Sequence, residues 1–79
     1  MPLGFRILGK ATYEGIPLPK IVKQLLNDDD INPQNLDYLV YVKLQKRVRY
    51  LVKKLESYNL LRTEKHWPPG TIRITTIHH

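Results

Sequence analysis

Thirteen Lys and Arg against seven Asp and Glu, in a chain of 79 residues, give a net charge of +6 and a pI near 9.8. That length allows one small domain (1–79) with no second core, and an apolar share of 42% suits a folded chain rather than a disordered one. The lack of cysteine excludes disulfides and thiolate-held metals, and no apolar run approaches the roughly 20 residues of a membrane span.

The N-terminal MPLGFRILGK lacks the apolar core of about 7 to 15 residues that a signal peptide carries, so a cytoplasmic location is expected. In LGFRILGKATY (3–13), Leu3, Ile7, Leu8 and Ala11 suit one helix face. Gly4 and Gly9 weaken that helix, and Phe5 and Ile7 alternate as in a strand, but the spacing favours a short helix. Gly15 marks a turn. Residues 17–27, PLPKIVKQLLN, form a second expected helix with Leu18, Ile21, Val22, Leu25 and Leu26 as its apolar stripe. Asp28-Asp29-Asp30 sits poorly at a helix C-terminus, where anions oppose the macrodipole. It also lacks the glycine and terminal glutamate of a calcium loop, so a solvated acidic turn is expected. Asn32-Pro33 supplies an N-cap followed by a first-position proline, and a third helix is expected over 33–41 with Leu36, Leu39 and Val40.

Residues 44–58, LQKRVRYLVKKLESY, carry the clearest pattern. With Leu44 at 0°, Val48, Leu51, Val52 and Leu55 join it between about 340° and 80°, and these five are expected to be buried. Lys46, Arg49 and Lys53 lie opposite, near 200°, 140° and 180°, flanked by Lys43, Gln45, Tyr50 and Lys54. Residues 43–54 hold six basic side chains and no acidic one. A solvated helix normally mixes signs to gain i, i+4 pairs, so a face of one sign suits a polyanion. Joining this helix to the preceding one would put Leu39 and Val42 on the basic face and Asp37 among the apolar positions, so a break is expected at 41–43. Asn59 suits the αL conformation that ends a helix. Residues 60–65 and 71–77 then read as strands, the second alternating Ile72 and Ile74 with Thr71, Arg73 and Thr75. HWPPG (66–70) joins them as a hairpin tip. The final His78-His79 has the form of a tag remnant and is given no role.

Helices followed by a basic helix and a hairpin give the order of a winged helix-turn-helix domain. VRYLVKKLESYNLLRTE (48–64) resembles the signature of that family. Its recognition helix ends in a Leu-x-x-Leu-Glu-like run, followed by a two-residue turn, a Leu-Leu pair and an Arg-bearing wing strand. TIRITTI (71–77) resembles the second wing strand and KHWPPGT (65–71) the wing tip, while Asn59 stands where many members carry glycine. The match covers 48–77 and is looser upstream. The fold it implies is α+β, mainly α: three or four helices followed by a two-stranded β-hairpin wing. Two registers stay open for the helix before the recognition helix. It is either 33–41, in a tight helix-turn-helix, or 17–27, which looks like the family's PL-x-x-I-x-x-x-L segment, with 28–42 as an insertion.

The resemblance further implies that the N-terminal half of helix 44–58 enters the major groove of double-stranded DNA. Lys43, Gln45, Lys46, Arg47, Arg49 and Tyr50 would then approach base edges or phosphates, and Lys53 and Lys54 would hold phosphates. Arg47 lies close to the apolar stripe, where capping or snorkelling is its other role. From the wing, Lys65, His66, Trp67 and Arg73 would straddle the backbone or enter the minor groove, Trp67 folding back onto Pro68 or the core being the alternative. A homodimer is implied, because half-sites one helical turn apart need a two-fold partner; Tyr38 and Tyr41 are expected at the core edge or in that dimer. The implied function is sequence-specific DNA binding by a small transcriptional regulator. The other reading is a winged-helix protein-interaction module without a DNA role. Neither an enzyme nor a cofactor is expected: His66, His78 and His79 lack triad or metal spacing, and no glycine loop cradles phosphate.

Overall fold

The structure, a computed structural model, describes residues 2–66 and 71–77, with the backbone alone at Lys65, His66 and Thr71. Helix α1 (Leu3–Lys10) leads to strand β1 (Ile16–Pro17) and helix α2 (Leu18–Asp28). A single 3-10 turn (Pro33–Asn35) precedes helix α3 (Tyr38–Ser57), and strands β2 (Leu61–His66) and β3 (Thr71–Thr76) follow. The architecture is α+β and mainly helical, three helices packed on a small antiparallel sheet of order β1-β3-β2. Among the described residues no helix is long and apolar enough to cross a membrane.

Helix α1 buries Ile7 and lays Leu3, Leu8 and Ala11 against the core. Gly4 and Gly9 leave the helix intact. Beyond it Gly15 has φ +87°, and a Cβ there would lie 3.2 Å from Arg73 Cβ. Glycine therefore lets β1 approach β3 while its carbonyl accepts a 2.9 Å hydrogen bond from Arg73 Nη1. In β1, Ile16 faces Ile74 and Pro17 faces Arg73. An edge position tolerates proline, which has no N–H to give the ladder. Two residues are too short to show a period-two pattern, and this is why the expected two-stranded hairpin is in fact a three-stranded sheet.

Helix α2 is as expected to within a residue at each end. Leu18, Ile21, Val22, Leu25 and Leu26 are all buried, so this one helix supplies five of the eleven buried core residues among those described. It ends in a Schellman motif: Asp30 takes φ 58°, its N–H donates to Asn27 O at 3.0 Å, and Ile31 N–H donates to Leu26 O at 2.9 Å. The acidic end is neutralised by α1. Arg6 meets Asp29 at 3.2 Å and donates to Leu25 O at 3.3 Å, while Lys10 pairs with Asp28. These cations stand where the α2 macrodipole is negative.

The third helix differs from expectation. Asn32 does cap its proline turn, Oδ1 accepting from Gln34 N at 3.0 Å, but the result is one 3-10 turn rather than a helix over 33–41. The break falls before Tyr38 and not at 41–43, because Asp37 caps α3 by accepting from Leu39 N at 2.8 Å. From there 20 residues run unbroken to Ser57. Once Asp37 is the cap, it no longer occupies an apolar helix position. The other objection to a continuous helix was physically sound, and the chain bears its consequence: Leu39 is 67% exposed. The tight helix-turn-helix register is thereby removed; α2 is the helix that precedes α3.

Around α2 the core gathers Ile7, Ile16, Val48, Val52, Leu61 and Ile74, with no polar side chain buried among the described residues. In α3 only Val48 and Val52 of the five expected positions are fully buried; Leu44, Leu51 and Leu55 are half-buried at the margin of the core. A 20-residue helix on so small a body covers only a narrow seam. Asn59, at φ 60°, ends α3 in a second Schellman motif, Leu60 N–H reaching Leu55 O at 3.1 Å. In the hairpin Leu61, Thr63, Ile72 and Ile74 share the inner face.

Ile74→Ala should destabilise the fold by about 2 to 5 kcal/mol in urea melts, and half-buried Leu51→Ala by less than about 2 kcal/mol. In thermal melts Asn59→Gly should hold or raise stability, whereas Asn59→Ala should lower it by about 1 kcal/mol, since alanine lacks the local hydrogen bonding that eases αL.

Candidate nucleic-acid interface

Burial of Val48 and Val52 sets the rotation of α3, and rotation decides what faces solvent. Lys43, Lys46, Arg47, Arg49, Tyr50, Lys53 and Lys54 are all exposed, and Gln45 is half-buried. On the wheel they form two rows. Gln45, Arg49 and Lys53 run down the flank at about 100° to 180°, and Lys43, Arg47, Tyr50 and Lys54 run down the flank at about 240° to 300°, with Lys46 between them. Arg47 is exposed with the second row and does not tuck into the apolar seam. The first row borders a groove between helix and sheet, lined by Arg49, Lys53 and Glu56 on one side and Thr63 and Ile72 on the other.

Among the described residues none of the six α3 cations forms an ion pair. The acids are engaged elsewhere. Asp28 and Asp29 hold Lys10 and Arg6, and Asp37 caps α3. Glu56 is the single acid within α3, and its Oε2 accepts from both Thr63 N and Thr63 Oγ1 at 2.7 Å. Unscreened by partners, the cations project a positive potential over about a Debye length, roughly 8 to 10 Å. Their separation along the helix, eleven residues from Lys43 to Lys54 at about 1.5 Å each, is about 16 Å. The major groove is roughly 12 Å wide and admits such a helix.

The hairpin contributes less than the sequence suggested. Arg73 is half-buried, its guanidinium holding Gly15 O as part of the frame. Arg62, not singled out before, is exposed and lies 3.9 Å from Glu64. Lys65 and His66 end β2, but their side chains, like Trp67 as a whole, lie outside the described residues. Two features escaped sequence reasoning. One is the Glu56–Thr63 tie that fixes β2 to the end of α3; the signal was a carboxylate near a helix C-terminus, which needs a compensating donor. The other is the exposed apolar first turn of α3, hidden by placing the helix break too late. No group of His, Asp and Glu among the described residues could hold a metal ion.

Compared with protein-family models, with curated proteins and with solved structures, the chain matches none.

Glu56→Ala leaves Thr63 N and Oγ1 without their acceptor and should cost about 1.5 to 3 kcal/mol, the range for hydrogen bonds to a charged group, in chemical denaturation. Glu64→Ala, on the exposed side of the same strand, should cost under about 1 kcal/mol.

Proposed function

We propose that this chain is a winged helix-turn-helix domain that binds double-stranded DNA sequence-specifically, as a small transcriptional regulator working as a homodimer. The observation that carries the reading is the arc of six cations on one helix, none paired with an acid among the described residues and all presented outward by a buried seam. Support also comes from the element order, in which a helix, a short strand and two helices lead into a hairpin whose second strand takes the middle of the sheet.

Each side chain has a stated part. Lys46 and Arg49, central on the outer face, approach the groove floor; Arg bonds guanine O6 and N7 in a two-pronged manner and Lys the same atoms singly. Gln45 suits adenine N6 and N7. Lys43, Arg47, Lys53 and Lys54 hold phosphates on either side, which positions the helix without reading sequence. Tyr50, 63% exposed between Arg47 and Lys54, adds a phosphate hydrogen bond or a sugar contact. Lys65 and His66, at the tip end of β2, and Trp67, next in the sequence, would meet the backbone or the minor groove, while Arg73 stands in the middle of β3 opposite Glu64. A protein-interaction module is the competing function, with an acidic partner meeting the same arc.

Salt dependence separates the two. Each phosphate contact lowers log K by about 0.9 per unit of log salt, so Lys53→Glu should weaken binding to every duplex alike and flatten that slope by about one. Arg49→Ala should cost about 1 to 3 kcal/mol chiefly on the preferred sequence recovered from a random duplex pool. Neither exposed change should shift the melting curve. Equal and feeble duplex binding by wild type and Lys53→Glu, near 0.1 mM to 1 μM or weaker regardless of sequence, would leave only the protein-module reading.

A further inference from the structure

The sheet has two outer edges, and the chain treats them differently. On one side stands β1, two residues long and carrying Pro17, too short to template another strand. On the other stands β2, six residues with β3 on one flank and no strand on the other among the described residues. Backbone groups along an antiparallel strand point alternately to its two flanks. Thr63 N–H donates to Glu56, and Ile74 opposite it pairs with Ile16 of β1, so Arg62, Glu64 and His66 turn their backbones to β3. Leu61, Thr63 and Lys65 turn theirs outward, and Thr63 is the middle of this free edge.

That edge is self-complementary. An antiparallel pairing of two β2 strands about a two-fold axis at Thr63 sets Arg62 of each copy opposite Glu64 of the other, both residues being exposed. At the centre each Thr63 N–H would donate to the other copy's Thr63 carbonyl. The fold does not leave that contact open. Glu56 Oε2 accepts from Thr63 N and from Thr63 Oγ1, at 2.7 Å each.

We propose that Glu56 guards the β2 edge: its carboxylate, reaching over from α3, occupies the central N–H and keeps the hairpin from pairing with the hairpin of a second copy. A hydrogen bond to a carboxylate is roughly twice as strong as one between neutral groups. An incoming carbonyl therefore gains less at Thr63 N than it displaces. The displaced carboxylate would be left beside that carbonyl, an anion against the negative end of a dipole, with its own donors lost. Two-fold symmetry doubles the effect, because both central bonds are blocked at once. Only the outer pairs, Leu61 with Lys65 of the other copy, would remain, and these are the ends of a short ladder. The guard does not rest on the DNA-binding reading, and it places the homodimer of that reading on another surface.

Sedimentation velocity of the full chain at high concentration tests the guard, against whatever mass wild type itself shows. Glu56→Ala should raise that mass about twofold, the increment of one closed two-fold contact. Glu56→Gln keeps an amide oxygen for both Thr63 donors and should stay at the wild-type mass. Leu51→Ala, which lowers stability but keeps the Glu56–Thr63 tie, should stay there too. Should Glu56→Ala fail to fold, Glu56→Asp, whose carboxylate falls one methylene short, carries the same expectation. Proline at 63 removes the outward N–H without touching the β3 ladder, so Thr63→Pro added to the guardless variant should restore the wild-type mass. Thiols read the register, since the natural chain has none. A mixture of guardless chains carrying Arg62→Cys with others carrying Glu64→Cys should oxidise to dimers far faster than either alone, because the pairing sets 62 opposite 64. An unchanged mass in the folded guardless variant overturns the proposal, as does a raised mass for Glu56→Gln or Leu51→Ala. So does a Thr63→Pro that restores nothing, or a mixture that cross-links no faster than its components.

Discussion

Everything outward-facing on α3 depends on a seam two valines wide. Val48 and Val52 are the positions of this helix that the core encloses, and burying each contributes about 1.5 to 3 kcal/mol. Leu44, Leu51 and Leu55 widen the seam at half burial, and Tyr41 extends it towards the helix start. Such a seam fixes rotation about the helix axis more firmly than it fixes the ends. A rotation by one residue, about 100°, would bring Arg49 or Lys53 into the core, where a desolvated charge costs several kcal/mol. The same contacts that hold the fold therefore aim the cations.

The ends are held by other means. At the C-terminus Asn59 in αL redirects the chain, and Glu56 grips Thr63, so β2 leaves α3 at a set angle. At the N-terminus Asp37 satisfies one N–H and Tyr41 packs against the core, while Tyr38, Leu39 and Val40 stay exposed. Helix propagation explains why it forms at all. With no glycine or proline from Tyr38 to Ser57, each added residue gains a backbone hydrogen bond at little cost, even where its side chain finds no core.

Charge is sorted by the same economy of structure. Two of the three clustered aspartates serve α1, where Arg6 and Lys10 offset the negative end of α2. Exposed pairs of this kind contribute at most about 1 kcal/mol each. Their larger consequence is placement: the acids at the α1–α2 contact and in the α3 cap are not beside the basic arc, and Glu56, which borders it next to Arg49 and Lys53, is engaged by Thr63. A net charge of +6 thus becomes a directed field rather than a diffuse one.

Periodicity in the sequence by itself determined the elements that are long or regular. The five-residue stripe of α2, the seam and opposed cations of α3, the alternation of β3 and the αL role of Asn59 all follow from local spacing and backbone preference, which the tertiary structure keeps. Local chemistry at Asn32-Pro33 was legible as a cap and a turn, but not its length, because a 3-10 turn and a helix start share the same first residues. Only the tertiary structure decided the rest. Ile16 and Pro17 become a strand because Ile74 and Arg73 lie alongside, a pairing 56 or more residues away that no local pattern records. Arg73, a surface cation by sequence, is drawn inward by the Gly15 carbonyl. The first turn of α3 stays helical and exposed because the core is too small to reach it, and the size of a core is a property of the packed chain, not of any stretch of it.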